Sequence, residues 1–109
     1  PKDYGHVDFS DESHAVVDLI RGCNPEPGAY SYLGDGTKIK LMFAAETSYE
    51  GDSVPGVILN AEPKKGLIIK TGSGAVRITR LIYPGGKEMS DSDFLRGRRG
   101  IFIEGSQLK

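Results

Sequence analysis

The stretch LIRGCNPEPGAYSYL, residues 19–33, sets two prolines between segments of different hydrophobic period. Upstream, Val16, Leu19, Ile20 and Cys23 recur at i, i+3, i+4 and i+7, the stripe of an amphipathic helix. Ser10 suits an N-cap, and Asp11 and Glu12 suit the positive end of the dipole, so the pattern predicts a helix over 10–21. Gly22 can take the left-handed conformation that ends a helix, and Pro25 blocks continuation. Downstream, AYSYL alternates with the period of a strand. Helix termination accounts for most of this corner, but not for Arg21 or Asn24.

After the corner the pattern is β. GDGT (34–37) is a hairpin turn signal leading into KIKLMFAAE, where Ile39, Leu41, Phe43 and Ala45 are expected on one face and Lys38, Lys40 and Glu46 on the other. Residues 47–55 read as a loop, GVILN (56–60) and LIIKT (67–71) as strands, and GSG (72–74) as a tight connection. In AVRITRLIY, Val76 and Ile78 alternate with Arg77 and Thr79; strict alternation would bury Arg80, which predicts a bulge near 79–81. PGGKEM is a loop, and SDSDFLRG a short helix with Ser90 and Asp93 at capping-box spacing. Five short strands with glycine turns after one helix fit a small antiparallel barrel or sandwich, so the fold class is mainly β.

The 109 residues suit one domain with a single modest core, 1–109. No apolar run approaches the roughly 20 residues of a membrane span. Cys23 is the single cysteine, which fits a reducing, cytoplasmic setting. The chain begins at Pro1, as expected of a piece of a longer protein or of a processed chain. Net charge is −1, yet residues 1–54 carry four basic against ten acidic residues and residues 55–109 ten basic against five acidic. Such asymmetry suits a basic patch facing an anionic partner, or two halves that neutralise each other.

Catalytic candidates are few. His6 and His14 lack a second His or a Cys at metal-ligand spacing, Cys23 belongs to the helix stripe, and Asp91 and Asp93 read as helix-start residues. The glycine turns lack the lysine and spacing of a phosphate loop. No catalytic and no metal-binding residue is assigned. A binding surface is better supported. Lys38, Lys40, Arg77 and Arg80 lie on predicted strands and Lys70 ends another; Lys87 is in a loop, and Arg96, Arg98 and Arg99 cluster at the short helix. Barrels that bind oligonucleotides place lysine and arginine on phosphates in this way, and Tyr30, Tyr32, Tyr49 and Tyr83 could interleave with them or fill the barrel rim.

The quoted corner resembles the start of the C-terminal domain of the formyltransferase family, typified by methionyl-tRNA formyltransferase: a helix ending in an IR step, then NP-x-PG, then the first barrel strand. The resemblance continues through VDFSDESHAVVDLIRG, VPGVIL (54–59), LIIKTGSGAVRITRLIYPGGKEMSDSDFLRG (67–97) and EGSQL, in the family's order and over nearly the whole chain. It implies an open antiparallel barrel like the oligonucleotide-binding fold, with the N-terminal helix and the short helix near the C-terminus. It also implies an upstream catalytic domain that binds 10-formyltetrahydrofolate, so that this chain holds no cofactor of its own. Here Pro25 and Pro27 rigidify the joint and Gly28 lets helix and barrel approach; Glu26 stands where the family often has Trp.

Three functions compete. The first is a tRNA-binding module, inactive alone, of a methionyl-tRNA formyltransferase acting in translation initiation, its basic face on initiator methionyl-tRNA. The second is a structural domain of a nucleotide-sugar or other formyltetrahydrofolate-dependent formyltransferase, which the low net charge suits. The third is a free-standing small-ligand barrel.

Overall fold

The computed structural model describes residues 4–49 and 51–109. Helix α1 spans Ser13–Cys23, two residues later than a Ser10 cap would start it. Ser10 is engaged elsewhere: its amide and hydroxyl both donate to Asp8 Oδ1, and those bonds hold the Asp8 carboxyl below its ordinary value. Ser13, buried, bonds Thr71 Oγ1 at 2.7 Å and the Ser73 carbonyl at 2.9 Å, while the Gly72 amide donates to the Asp11 carbonyl. A tertiary anchor therefore sets the start of the helix, in place of a side-chain cap. Val16, Ile20 and Cys23 are buried as their spacing requires, and Leu19 packs against the core.

Gly22 stays within the helix, and the chain turns instead at two cis peptides, Asn24–Pro25 and Glu26–Pro27. The Gly28 amide returns to the Cys23 carbonyl at 2.8 Å, and Gly28 adopts φ +89°, a value L side chains rarely take. The close approach expected at Gly28 falls at Gly5, where a Cβ would lie 2.5 Å from the Gly28 carbonyl oxygen. Asn24 is explained by its Nδ2, which donates to the Met42 carbonyl at 3.2 Å and ties the corner to the sheet. Arg21 forms an exposed pair with Asp18.

The strands are β1 (Ala29–Tyr32), β2 (Lys38–Thr47), β3 (Ile58–Glu62), β4 (Gly66–Lys70), β5 (Ala75–Ile82) and β6 (Met89–Ser90), followed by helix α2 (Asp91–Gly97). All pairings are antiparallel in the order β1-β2-β5-β4-β3, with β6 on β5. The protein is mainly β, as expected, and the sheet is not closed by strand pairing. Its last residues lace the two edges. Gly105 and Ser106 exchange hydrogen bonds with Ile58, Leu108 donates to Gly56, and Lys109 exchanges a pair with Tyr32 on β1. Leu108 is buried in the core that this lacing covers. Beside these last residues on β1, residues 5–9 also cover the core: Val7 and Phe9 are buried and the Val7 amide donates to the Tyr30 carbonyl.

The predicted irregularity at 79–81 is present and is matched by one on β2. Register shifts flank Phe43, which pairs with Arg80, while Leu41 pairs with Leu81 and Ala44 with Ile78. Thr79 and Arg80 are both half-buried, so the guanidinium stays out of the core. The same shift overturns the expected faces of β2. Met42 is buried, Phe43 is exposed and Ala44 packs on the core, because one extra residue moves every later side chain to the other face.

Among the described residues one charged side chain is buried. Asp91, 1% exposed, accepts from the Leu67 amide at 2.9 Å, from Arg77 Nε at 2.8 Å and Nη2 at 3.0 Å, and from the Ser92 amide at 2.8 Å. It joins α2 to β4 and β5 with its oxygens fully engaged. Gly66 makes room for it: a Cβ there would collide with both Arg77 Nε and Asp91 Oδ2, and its φ is +88°. Ser90 caps α2 as predicted, accepting from the Asp93 amide.

Removing Arg77 leaves the Asp91 carboxylate buried without its counter-charge, held by two backbone amides. Arg77→Ala is expected to lower stability by about 2–3 kcal/mol, below the ~3–5 of a wholly buried pair because the arginine is partly solvated. Gly66→Ala should cost about 2 kcal/mol or more through its φ and the lost clamp. Urea unfolding midpoints check both, and wild-type midpoints would remove the clamp from the account. Leu108→Ala should cost about 2–4 kcal/mol and speed amide exchange at Tyr32 and Ile58. Unchanged exchange at those two amides would show that the tail does not hold the sheet edges.

Candidate nucleic-acid interface

Lys38 and Lys40 alternate with buried Ile39 and Leu41, so both ammonium groups lie on the solvent side of β2. On one flank they border Pro27, Gly28 and Tyr30, and on the other Ile82, Tyr83, Pro84 and Gly85. Lys38 Nζ stands 4.1 Å from the centre of the Tyr30 ring, a cation–π contact. Tyr30 stacks on His6 at 5.1 Å and meets Tyr32 edge-on at 5.6 Å.

The loop after β5 continues this surface. Tyr83, Pro84 and Gly85 also line a second pocket, of 330 Å³, together with Lys87, Met89, Phe94 and Arg98. The Arg98 guanidinium covers the Tyr83 ring at 4.9 Å and lies 5.8 Å from Phe94. A strip of four cations and two tyrosines thus runs from the Pro27 corner to the end of α2.

Ion pairing separates the nine basic residues singled out in the sequence. Arg77 is held by Asp91, which raises its pKa through their hydrogen bonds; Arg80 Nε is 2.6 Å from Glu88 Oε2, and Arg96 Nη1 is 2.9 Å from Asp93 Oδ1. Lys70 donates to the Thr71 carbonyl. Arg99 borders a separate groove with Arg98 and Glu104. Among the described residues no carboxylate pairs with Lys38, Lys40, Lys87 or Arg98. The structure therefore gathers four of the nine on one strip, with the other five engaged or placed elsewhere. Of the ion pairs among those nine, the Arg96–Asp93 spacing of i,i+3 is local enough to be read from the sequence. Arg77 and Arg80 meet their carboxylates only through the fold.

Among the described residues no three His, Cys, Asp or Glu side chains gather as metal ligands. His6 is stacked on Tyr30, His14 Nδ1 is 3.6 Å from Glu12, and Cys23 is buried. No described helix is long and apolar enough to cross a membrane.

The family model for the formyl transferase C-terminal domain matches residues 1–99, and the chain belongs to that family. Methionyl-tRNA formyltransferase of Ectopseudomonas mendocina is 42% identical over 108 residues, covering 98% of this chain and 33% of the relative. The enzyme of the same name from Pseudomonas savastanoi pv. phaseolicola is 38% identical over 107 residues, with coverages of 98% and 33%. That of Burkholderia ambifaria is 40% identical over 91 residues, with coverages of 84% and 27%. The chain thus spans about a third of the length of the curated relatives it matches. HypX from Aquifex aeolicus, solved in complex with tetrahydrofolic acid, shares the fold with a TM-score of 0.66 at 24% identity, over 88% of this chain and 17% of that one.

Proposed function

We propose that this chain is the tRNA-holding C-terminal module of a methionyl-tRNA formyltransferase, a cytoplasmic enzyme of translation initiation. Formyl transfer from 10-formyltetrahydrofolate then belongs to a catalytic domain upstream, and this module is inactive alone. The observation that carries the reading is the strip of Lys38, Lys40, Lys87 and Arg98, free of carboxylate partners among the described residues and interleaved with Tyr30 and Tyr83. The names of the similar proteins support the choice of tRNA as the anion.

The physical role is positioning. Each ammonium or guanidinium that neutralises a phosphate releases a condensed counterion, which favours association without reading sequence. The four groups sit on β2, on the β5–β6 loop and at the end of α2, elements packed on one core, so their spacing is fixed before RNA arrives. Such a surface orients an acceptor substrate toward chemistry done elsewhere.

With about four phosphate contacts, raising salt from ~50 to ~200 mM should weaken tRNA binding by about two orders of magnitude. Lys38→Ala and Lys87→Ala should each weaken binding to all tRNAs alike and lower the salt slope by about 1. Lys109→Ala should change neither. No binding at ~20 mM salt, or an affinity indifferent to salt, would exclude the RNA role and favour a structural domain of a sugar formyltransferase.

A further inference from the structure

We infer that the pocket between the β5–β6 loop and α2 takes a single unstacked nucleobase of the bound RNA, with the attached phosphate at Lys87. The inference rests on the RNA reading above and specifies what one part of the strip recognises. Its volume of 330 Å³ is ample for one base and small for a folded element. Two flat π surfaces meet there, the Tyr83 ring and the Arg98 guanidinium 4.9 Å above it. Met89 and Phe94 supply apolar wall, and the Tyr83 and Phe94 rings lie 5.6 Å apart. Gly85, Gly86 and Gly97 leave the rim without side chains, so a planar ligand can reach the backbone.

These properties select a ligand that is flat, aromatic and anionic at one edge. A duplex offers phosphates but keeps its bases stacked, so paired RNA would satisfy Lys38 and Lys40 and leave this pocket unused. An unpaired nucleotide satisfies all of it: the base stacks on the ring or the guanidinium plane, and the phosphate meets Lys87. Stacking of this kind tolerates any base, so it confers a preference for unpaired RNA without a preference for sequence. Arg98 matters here for its planarity as well as its charge.

The test is a titration of the isotopically labelled chain with adenosine 5′-monophosphate and, separately, with ribose 5-phosphate, read by NMR at the Gly85, Gly86 and Gly97 amides. The nucleotide is expected to shift those amides saturably, and ribose 5-phosphate to leave them in place. Arg98→Lys, which keeps the charge and removes the plane, should weaken nucleotide binding about tenfold while the salt slope for tRNA is retained. Because Tyr83 packs on Phe94, Tyr83→Phe is the second variant, keeping the ring and the fold and retaining nucleotide binding. Equal shifts with the two ligands, or nucleotide shifts confined to other residues, would overturn the inference and leave a plain phosphate-binding strip. Nucleotide shifts at the three glycines in a chain that fails to bind tRNA would uphold the pocket and remove the RNA reading.

Discussion

One buried carboxylate connects the parts of this molecule that matter for its surface. Asp91 draws the β4 backbone at Leu67, the β5 side chain of Arg77 and the start of α2 to a single point. Transferring a carboxylate out of water is costly, and here the cost is offset by a two-point guanidinium contact and two backbone amides. The consequence lies at the other end of α2. Fixing its first residue on the sheet fixes where Phe94 and Arg98 stand relative to Tyr83, whose loop leaves the same strand that carries Arg77. The arginine thus builds the surface by being unavailable to it.

A second constraint is that the sheet has two edges. Unpaired strand edges invite association, and this fold covers them with segments that carry little regular structure. Residues 105–109 bond to both β3 and β1, and residues 5–7 bond to β1. Both coverings converge on Tyr30 and Tyr32, close to the proline corner. The tyrosines beside Lys38 are consequently held by contacts from three parts of the chain, which gives the basic strip a rigid floor.

Much of this was legible from local pattern. The two-residue alternation located five strands within about two residues, the turn glycines located the hairpins, and the Arg80 problem located the bulge. What was not legible depended on distant partners. The helix starts at Ser13 because Thr71 and Ser73, far along the chain, take its hydroxyl. Phe43 is exposed because the irregularity on β5 has a counterpart on β2. Val7 and Phe9 alternate with the period of an extended edge, but only their burial and the bond from Val7 to Tyr30 show which strand they cover. The charged residues were the hardest to sort. Composition gave every arginine equal standing, and only the fold distinguishes Arg77, clamped on Asp91, from Arg98, lying on an aromatic ring.

We propose that the cations left without carboxylates on the β2, β5–β6 loop and α2 strip are the surface that meets tRNA. Lysine reactivity measured residue by residue, by mass spectrometry after brief amine modification of the chain with and without tRNA, tests it on every lysine at once. Bound tRNA should protect Lys38, Lys40 and Lys87, while Lys64 and Lys65 in the turn between β3 and β4, and Lys109, react as before. Protection centred on Lys64 and Lys65, or equal reactivity of all lysines with and without tRNA, would contradict it.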